Sequence, residues 1–174
     1  MDANTIIDGL LEHYRSATPI RKGPIQMRPE QALWSRLRKH MAGYWDASRH
    51  EDAVSSGTPD VSWAARQVNG WLELKVVDNW PKKNNEVVPA EIRPSQRVFL
   101  KKRSRFGKHL GVFIYIKKTN EYFLFLKPSS ISAIGKIYTQ LDWHVHCDIH
   151  AIDHLPEPTR FLDVLTGIRR YGEL

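Results

Sequence analysis

The chain has 174 residues, 41% hydrophobic and 10% aromatic, which is enough to bury one sizeable core and predicts a single folded unit instead of an array. Its 26 Lys and Arg against 19 Asp and Glu leave a net charge of +7, which favours a polyanionic partner. Cys147 is the one cysteine, so an intramolecular disulfide is excluded and a reducing compartment is expected. The first twenty residues carry Asp2, Asp8, Glu12 and Arg15 and lack the apolar core of a signal peptide. No stretch approaches the ~20 apolar residues that span a bilayer. These features together predict a soluble, cytoplasmic protein with no membrane partner.

Residues 1–28 combine an amphipathic beginning, TIIDGLLEHY, with the connector TPIRKGPIQMRP, and are expected to form an extended arm ahead of one domain over 29–174. Arg21 and Lys22 within it either touch phosphates or belong to a solvated linker. Pro29 suits a first helical position, and Leu33, Trp34, Leu37 and Met41 recur at helical spacing, so a helix is predicted over Pro29 to Ala42. Glu30 stands at the end of its buried stripe, where it either complements the helix dipole or meets a partner.

Val61 to Ala65 and Trp71 to Val77 read as strands, with Asn69-Gly70 as a hairpin signal between them. A two-residue turn there pairs Arg66 with Glu73 and leaves Asp60 about 20 Å from Glu73. A wider loop over Ala64 to Asn69 instead sets Asp60 opposite Glu73 on the same face. Both registers keep the face, so the loop decides between them.

The polar stretch DNWPKKNNEVVPAEIRPS predicts a long loop, after which Ser95 is placed to cap a helix, QRVFLKKRSRFG, ended by Gly107. Lys101, Lys102, Arg103, Arg105 and Lys108 crowd its last half, more cations than capping requires, and with Lys82 and Lys83 of the loop they are the candidate residues for binding a polyanionic partner. Gly111 to Ile116 and Tyr122 to Leu126 are apolar runs expected in the middle of the sheet. A short helix over Pro128 to Ile137, a strand over Trp143 to Ile149 and a helix over Arg160 to Arg169 follow.

In WHVHCDIHAIDH the polar residues His144, His146, Asp148 and His150 alternate, but on one strand they splay at ~6.6 Å, so a half-buried polar face is expected ahead of a zinc site. The role of these histidines and of His154 stays open. Cys147 reads as core. Trp80, beside Lys82 and Lys83, reads as a loop anchor or as a platform for an unpaired base. No phosphate loop of the Walker type is present.

In WLELKVV, Glu73 and Lys75 share one face of an otherwise apolar strand, and two such charges need a partner, an ion or water. The bland alternative is a weak surface ion pair on a half-exposed strand. The chemical reading takes Asp60 and Glu73, with the Leu74 carbonyl, as oxygen ligands for Mg²⁺ or Mn²⁺, and sets Lys75 where it lowers the pKa of an attacking water.

The Pro59-Asp60 pair, with Glu73-Leu74-Lys75 thirteen positions after Asp60, resembles the PD-(D/E)XK nuclease superfamily; Gly57 and Ser95-Gln96 are most similar to its VRR-NUC and phage or archaeal Holliday-junction-resolvase branch. The resemblance spans roughly Glu30 to Ile116. It implies an α/β, restriction-endonuclease-like fold, a mixed central sheet flanked by helices. It further implies that Asp60 and Glu73 hold the metal, that Lys75 assists the nucleophilic water, that Glu30 is an outer acid and that Gln96 lines the site. The function so implied is structure-selective cutting of branched DNA by a homodimer, in a setting such as a phage-encoded protein in a bacterial host. A nuclease for linear duplex or single strands, a catalytically silent DNA-binding module and a basic RNA-binding protein are the rivals.

Overall fold

The structure, a computed structural model, describes residues 28–50, 57–106 and 109–167. Residues 1–27, where the arm is expected, residues 51–56, Gly107, Lys108 and those from Ile168 onward lie outside the described residues.

The first helix, α1 (Pro29–His40), begins at the expected proline and ends two residues sooner than expected, with Met41 as its C-cap. Four strands follow in part: β1 (Asp46–Arg49), β2 (Val61–Ala65), β3 (Val68–Val77) and, after helix α2 (Pro94–Ser104), β4 (His109–Ile116). Then come β5 (Glu121–Phe125), α3 (Pro128–Ala133), α4 (Gln140–His146), β6 (Ile149–Ile152) and α5 (Pro158–Thr166). The six strands lie in sequence order, antiparallel throughout except for the parallel pair β3 and β4. A parallel neighbour cannot be reached by a tight turn, so the chain crosses over through the loop after Val77 and through α2. The expected mixed α/β sheet with flanking helices is the one observed.

Alternation along β3 assigns the two faces. Leu72 and Leu74 join the core formed with Leu33, Trp34 and Leu37 of α1 and Phe161, Leu162 and Leu165 of α5. Trp71 and Val77 lie with the opposite core, which takes in Leu100 of α2, Ile131 of α3 and Trp143 of α4. Glu73 and Lys75 share that second face by the period of two.

Four sequence expectations change. The hairpin turns at Arg66 and Gln67, with φ of 51° and 64°, and not at Asn69-Gly70. Gly70 instead lies inside β3, where an added Cβ would fall 2.0 Å from the His109 carbonyl oxygen and 2.6 Å from the Trp63 ring. Its missing side chain serves close packing between strands, which outweighs its turn preference. The stretch expected as a strand over Trp143 to Ile149 is the end of α4, a short link and the start of β6. A capping box starts that helix: the Thr139 side chain accepts from Asp142 N–H, and Asp142 Oδ2 accepts from Thr139 N–H at 2.8 Å. Finally, α2 starts at Pro94, one residue ahead of the expected Ser95 cap, and Gln96 Oε1 accepts the Arg93 N–H at 3.0 Å. The helix expected to reach Ile137 stops at Ala133, and no described helix is long and apolar enough to cross a membrane.

Candidate functional site

The turn at Arg66 and Gln67 pairs Ala65 with Val68 and Val61 with Leu72. Asp60, one residue before β2, therefore stands at the level of Glu73. This is the register that joins the two carboxylates, and it arises from a tight turn three residues earlier than the sequence signal, not from a wide loop. Asp60 Oδ2 accepts the Leu74 N–H at 2.9 Å, which pins the carboxylate beside β3. In an antiparallel ladder the N–H and C=O of a residue point toward the same neighbour. The Leu74 carbonyl accordingly opens on the Asp60 side, beyond the last β2 partner.

Glu73 is 0% exposed, beneath the first turn of α2. Its Oε1 meets Lys75 Nζ at 2.9 Å and accepts from Gln96 Nε2 at 2.5 Å. Gln96 is held in turn, since its Oε1 faces both the Arg93 N–H and, at 3.4 Å, Lys75 Nζ. The second Glu73 oxygen, Oε2, is buried with no hydrogen-bond partner. Burial pushes the Glu73 carboxyl up to about 7, the Asp60 charge adds to the rise, and Lys75 and Arg93 pull against it.

A buried acceptor without a donor costs free energy, and a cation is one group that removes that cost. The donor set on offer, two carboxylates and a peptide carbonyl, is all hard oxygen and fits Mg²⁺ or Mn²⁺. Asp60, Glu73, Lys75 and Gln96 are thus brought together around one point. Glu30 is not joined to them: it lies half-buried in the first turn of α1, whose apolar side packs on the opposite face, and it has no hydrogen bond or ion pair among the described residues.

Lys101, Lys102, Arg103 and Arg105 are exposed along the end of α2, and Lys82 and Lys83 are exposed in the loop after β3. Lys108 lies outside the described residues. Trp80 is an anchor, 8% exposed, donating from Nε1 to Glu121 Oε1 at 2.8 Å and set edge-on to Phe123 and Trp143. It offers no face to a base. Cys147 is half-buried at the end of α4, and burial raises its thiol pKa.

Two residues beside the site escaped the sequence. Arg93 supplies both a positive field at Glu73 and the amide that orients Gln96. An arginine directly before Pro94, at a helix start, was the available sign. His50 donates its N–H to the Asp60 carbonyl at 2.8 Å, reaches Ser62 Oγ at 2.8 Å and packs against Trp71. Its position depends on the pairing of β1 with β2, which no local pattern announces.

No family model matches the chain, and no curated protein matches it. Among solved structures it is similar to a Holliday junction resolvase from the archaeal hyperthermophile Archaeoglobus fulgidus, at 17% identity and a TM-score of 0.46, over 67% of this chain and 89% of that one. It is also similar to a bacterial homing endonuclease, at 16% identity and a TM-score of 0.35, over 75% of each chain.

Proposed function

We propose that the chain is a divalent-metal-dependent DNA endonuclease of the PD-(D/E)XK type, selective for branched DNA such as a four-way junction. The observation that carries this reading is the meeting of Asp60 and Glu73 across the β2–β3 hairpin, with Lys75 on Glu73 and a buried Glu73 oxygen left without a donor. Asp60, Glu73 and the Leu74 carbonyl would hold Mg²⁺ or Mn²⁺. When bound, the ion supplies positive charge at the scissile phosphate and lowers the pKa of water.

The chain's own residues supply the rest. Gln96 and Glu73 fix the Lys75 ammonium, which adds positive charge where negative charge develops on phosphorus. Arg93 adds to that field. Gln96 links this chemistry to binding, because α2 carries both it and the exposed cations. Gln96 and Arg103 are about 10 Å apart along the helix axis, a length that spans neighbouring backbone phosphates. Recognition through phosphates reads shape more than sequence, which suits a branched substrate. Paired cuts in a symmetric junction call for two copies of the chain, and the arm over 1–28 or the last helix is the proposed contact between them. Glu30 is retained in this proposal as an outer acid only.

The test is cleavage of labelled four-way junction, linear duplex and single strand with Mg²⁺, Mn²⁺ or EDTA, comparing the natural chain with Glu73→Ala. Paired junction cuts that need metal and vanish in the variant, while junction binding persists, are expected. Cutting of linear DNA alone keeps the site and removes the junction assignment. Tight binding without any cutting leaves a DNA-binding module and removes the enzyme.

A further inference from the structure

Outside the acid pair, a buried carboxylate and two imidazoles converge where β5, β6 and α4 meet. Glu121 opens β5 and is 8% exposed. Its Oε2 lies 2.8 Å from His150 Nε2 and 3.4 Å from His144 Nε2, and all three atoms lie within 4.8 Å of one another. Atoms held tetrahedrally by one ion at Zn²⁺ bond lengths stand roughly 3.3 Å apart, so the cluster is near the size a single ion needs.

The protons sharpen the point. His144 Nδ1 is 2.8 Å from the Gln140 carbonyl oxygen, which only accepts, so Nδ1 carries the hydrogen. In the neutral ring Nε2 is then a bare lone pair, and it faces a carboxylate oxygen. Two acceptors so placed repel unless a proton or a cation stands between them. An imidazole that donates its far N–H to a carbonyl is also the arrangement that orients metal-binding histidines. Trp80 Nε1 holds Glu121 Oε1, which leaves Oε2 turned to the two rings. Phe123 stacks on His150 at 4.5 Å and fixes that ring as well.

We propose that Glu121, His144 and His150 form a site for one first-row transition-metal ion of the Zn²⁺ class. Two nitrogens and one oxygen suit such an ion and not Mg²⁺, which prefers oxygen alone. Side-chain exposures of 34% at His144 and 25% at His150 leave its outer side open to solvent, so a further coordination position is free for water. The site is separate from the acid pair: Lys75, Ile114, Phe123 and His150 are successive partners across the sheet. At the usual strand spacing that is about 14 Å. A bound ion ties α4 to two strands.

The tag-free full chain carrying Glu73→Gln, stripped with EDTA and kept in excess Mg²⁺, is titrated with Co²⁺ by visible absorption and with Zn²⁺ by calorimetry. Expected are one saturating equivalent, the absorption of a low-coordinate nitrogen and oxygen site, and a higher unfolding temperature with Zn²⁺. His144→Ala and His150→Ala are each expected to weaken binding by about 100-fold or more with unchanged circular dichroism. Glu121→Gln, which keeps the shape of the side chain, serves as the second variant should either alanine disturb folding. No saturating uptake, or uptake unmoved by these variants, overturns the site and leaves the three side chains as a polar cluster.

Discussion

Glu73 and Glu121 lie on the same face of one sheet, both nearly closed to water, and their acidities move in opposite directions. Burial raises both. At Glu121 it is outweighed by hydrogen bonds from Thr119, Trp80 and His150, which hold the carboxyl below its ordinary value. At Glu73 the donors crowd onto Oε1, Oε2 has none, and the Asp60 charge stands close by. Seclusion alone therefore does not set the charge of a buried acid; the supply of donors and the sign of its neighbours do. Glu73 is short of positive charge and has most to gain from a cation, whereas Glu121 is already ionised at neutral pH.

The largest expected effect tests what Glu73 lacks. If the proposed metal-dependent DNA cleavage holds, Asp60→Asn or Glu73→Gln should lower it by about 10³-fold while binding survives, read on labelled substrates. Activity within tenfold of the natural chain would end the assignment of these residues. Next, Gly70→Ala should cost about 3 kcal/mol in denaturant unfolding, because the new methyl meets the His109 carbonyl and the Trp63 ring. An unchanged midpoint would mean that β3 has room to shift, and with it the register that brings Asp60 to Glu73.

Glu73→Gln should also reveal the free energy stored in the buried acid of the metal-free chain. The folded pKa of about 7 stands above the ordinary 4.5, so the folded state holds the extra proton and natural stability falls as pH rises through that interval. Gln carries no such penalty: the variant is expected to be about 2 kcal/mol more stable than the natural chain at pH 8 and nearly equal at pH 5. Loss of stability at pH 8 would show that the Lys75 pair outweighs burial.

Glu121→Gln should show the opposite slope. Its carboxyl is held below the ordinary value, so its contribution is present at neutral pH and fades as the pH falls through the acid range. About 2 kcal/mol lost at pH 7, and less in acid, is expected from unfolding curves. The smallest effect is Trp80→Phe, which removes one donor to Glu121 and should cost about 1 kcal/mol. Equal slopes in the two glutamate variants would erase the contrast between the sites.

The apolar runs that make β4 and β5, and the spacing that makes α1, are legible because burial on both faces or on one stripe leaves a periodic record. Glu73 and Lys75 stand out because charges inside an apolar strand break that record, and Asp60 because a Pro-Asp pair leads into the strand before them. The turn was misplaced because Arg66 and Gln67 adopt positive φ without the residues that favour it, while Gly70 serves packing. The alternation in WHVHCDIH suits a strand, yet Thr139 and Asp142 start a helix; that capping pair was the missed signal. Glu121 could not be joined to the histidines from local pattern, since the pairing of β5 with β6 creates the contact.

The strand order has a further consequence. β1, β2 and β3 form one antiparallel meander and β4, β5 and β6 another, stitched at a single parallel seam. Asp60, Glu73 and Lys75 belong wholly to the first meander and its approach, and Glu121, His144 and His150 wholly to the second. Within the sheet each half can pair from near neighbours in sequence and only the seam joins distant strands, while the packing of α1 on α5 closes the first core over the length of the chain. The sheet is thus a pair of locally written meanders, with Gln96, carried by the crossover, as the clasp that reports their joining to the acid pair.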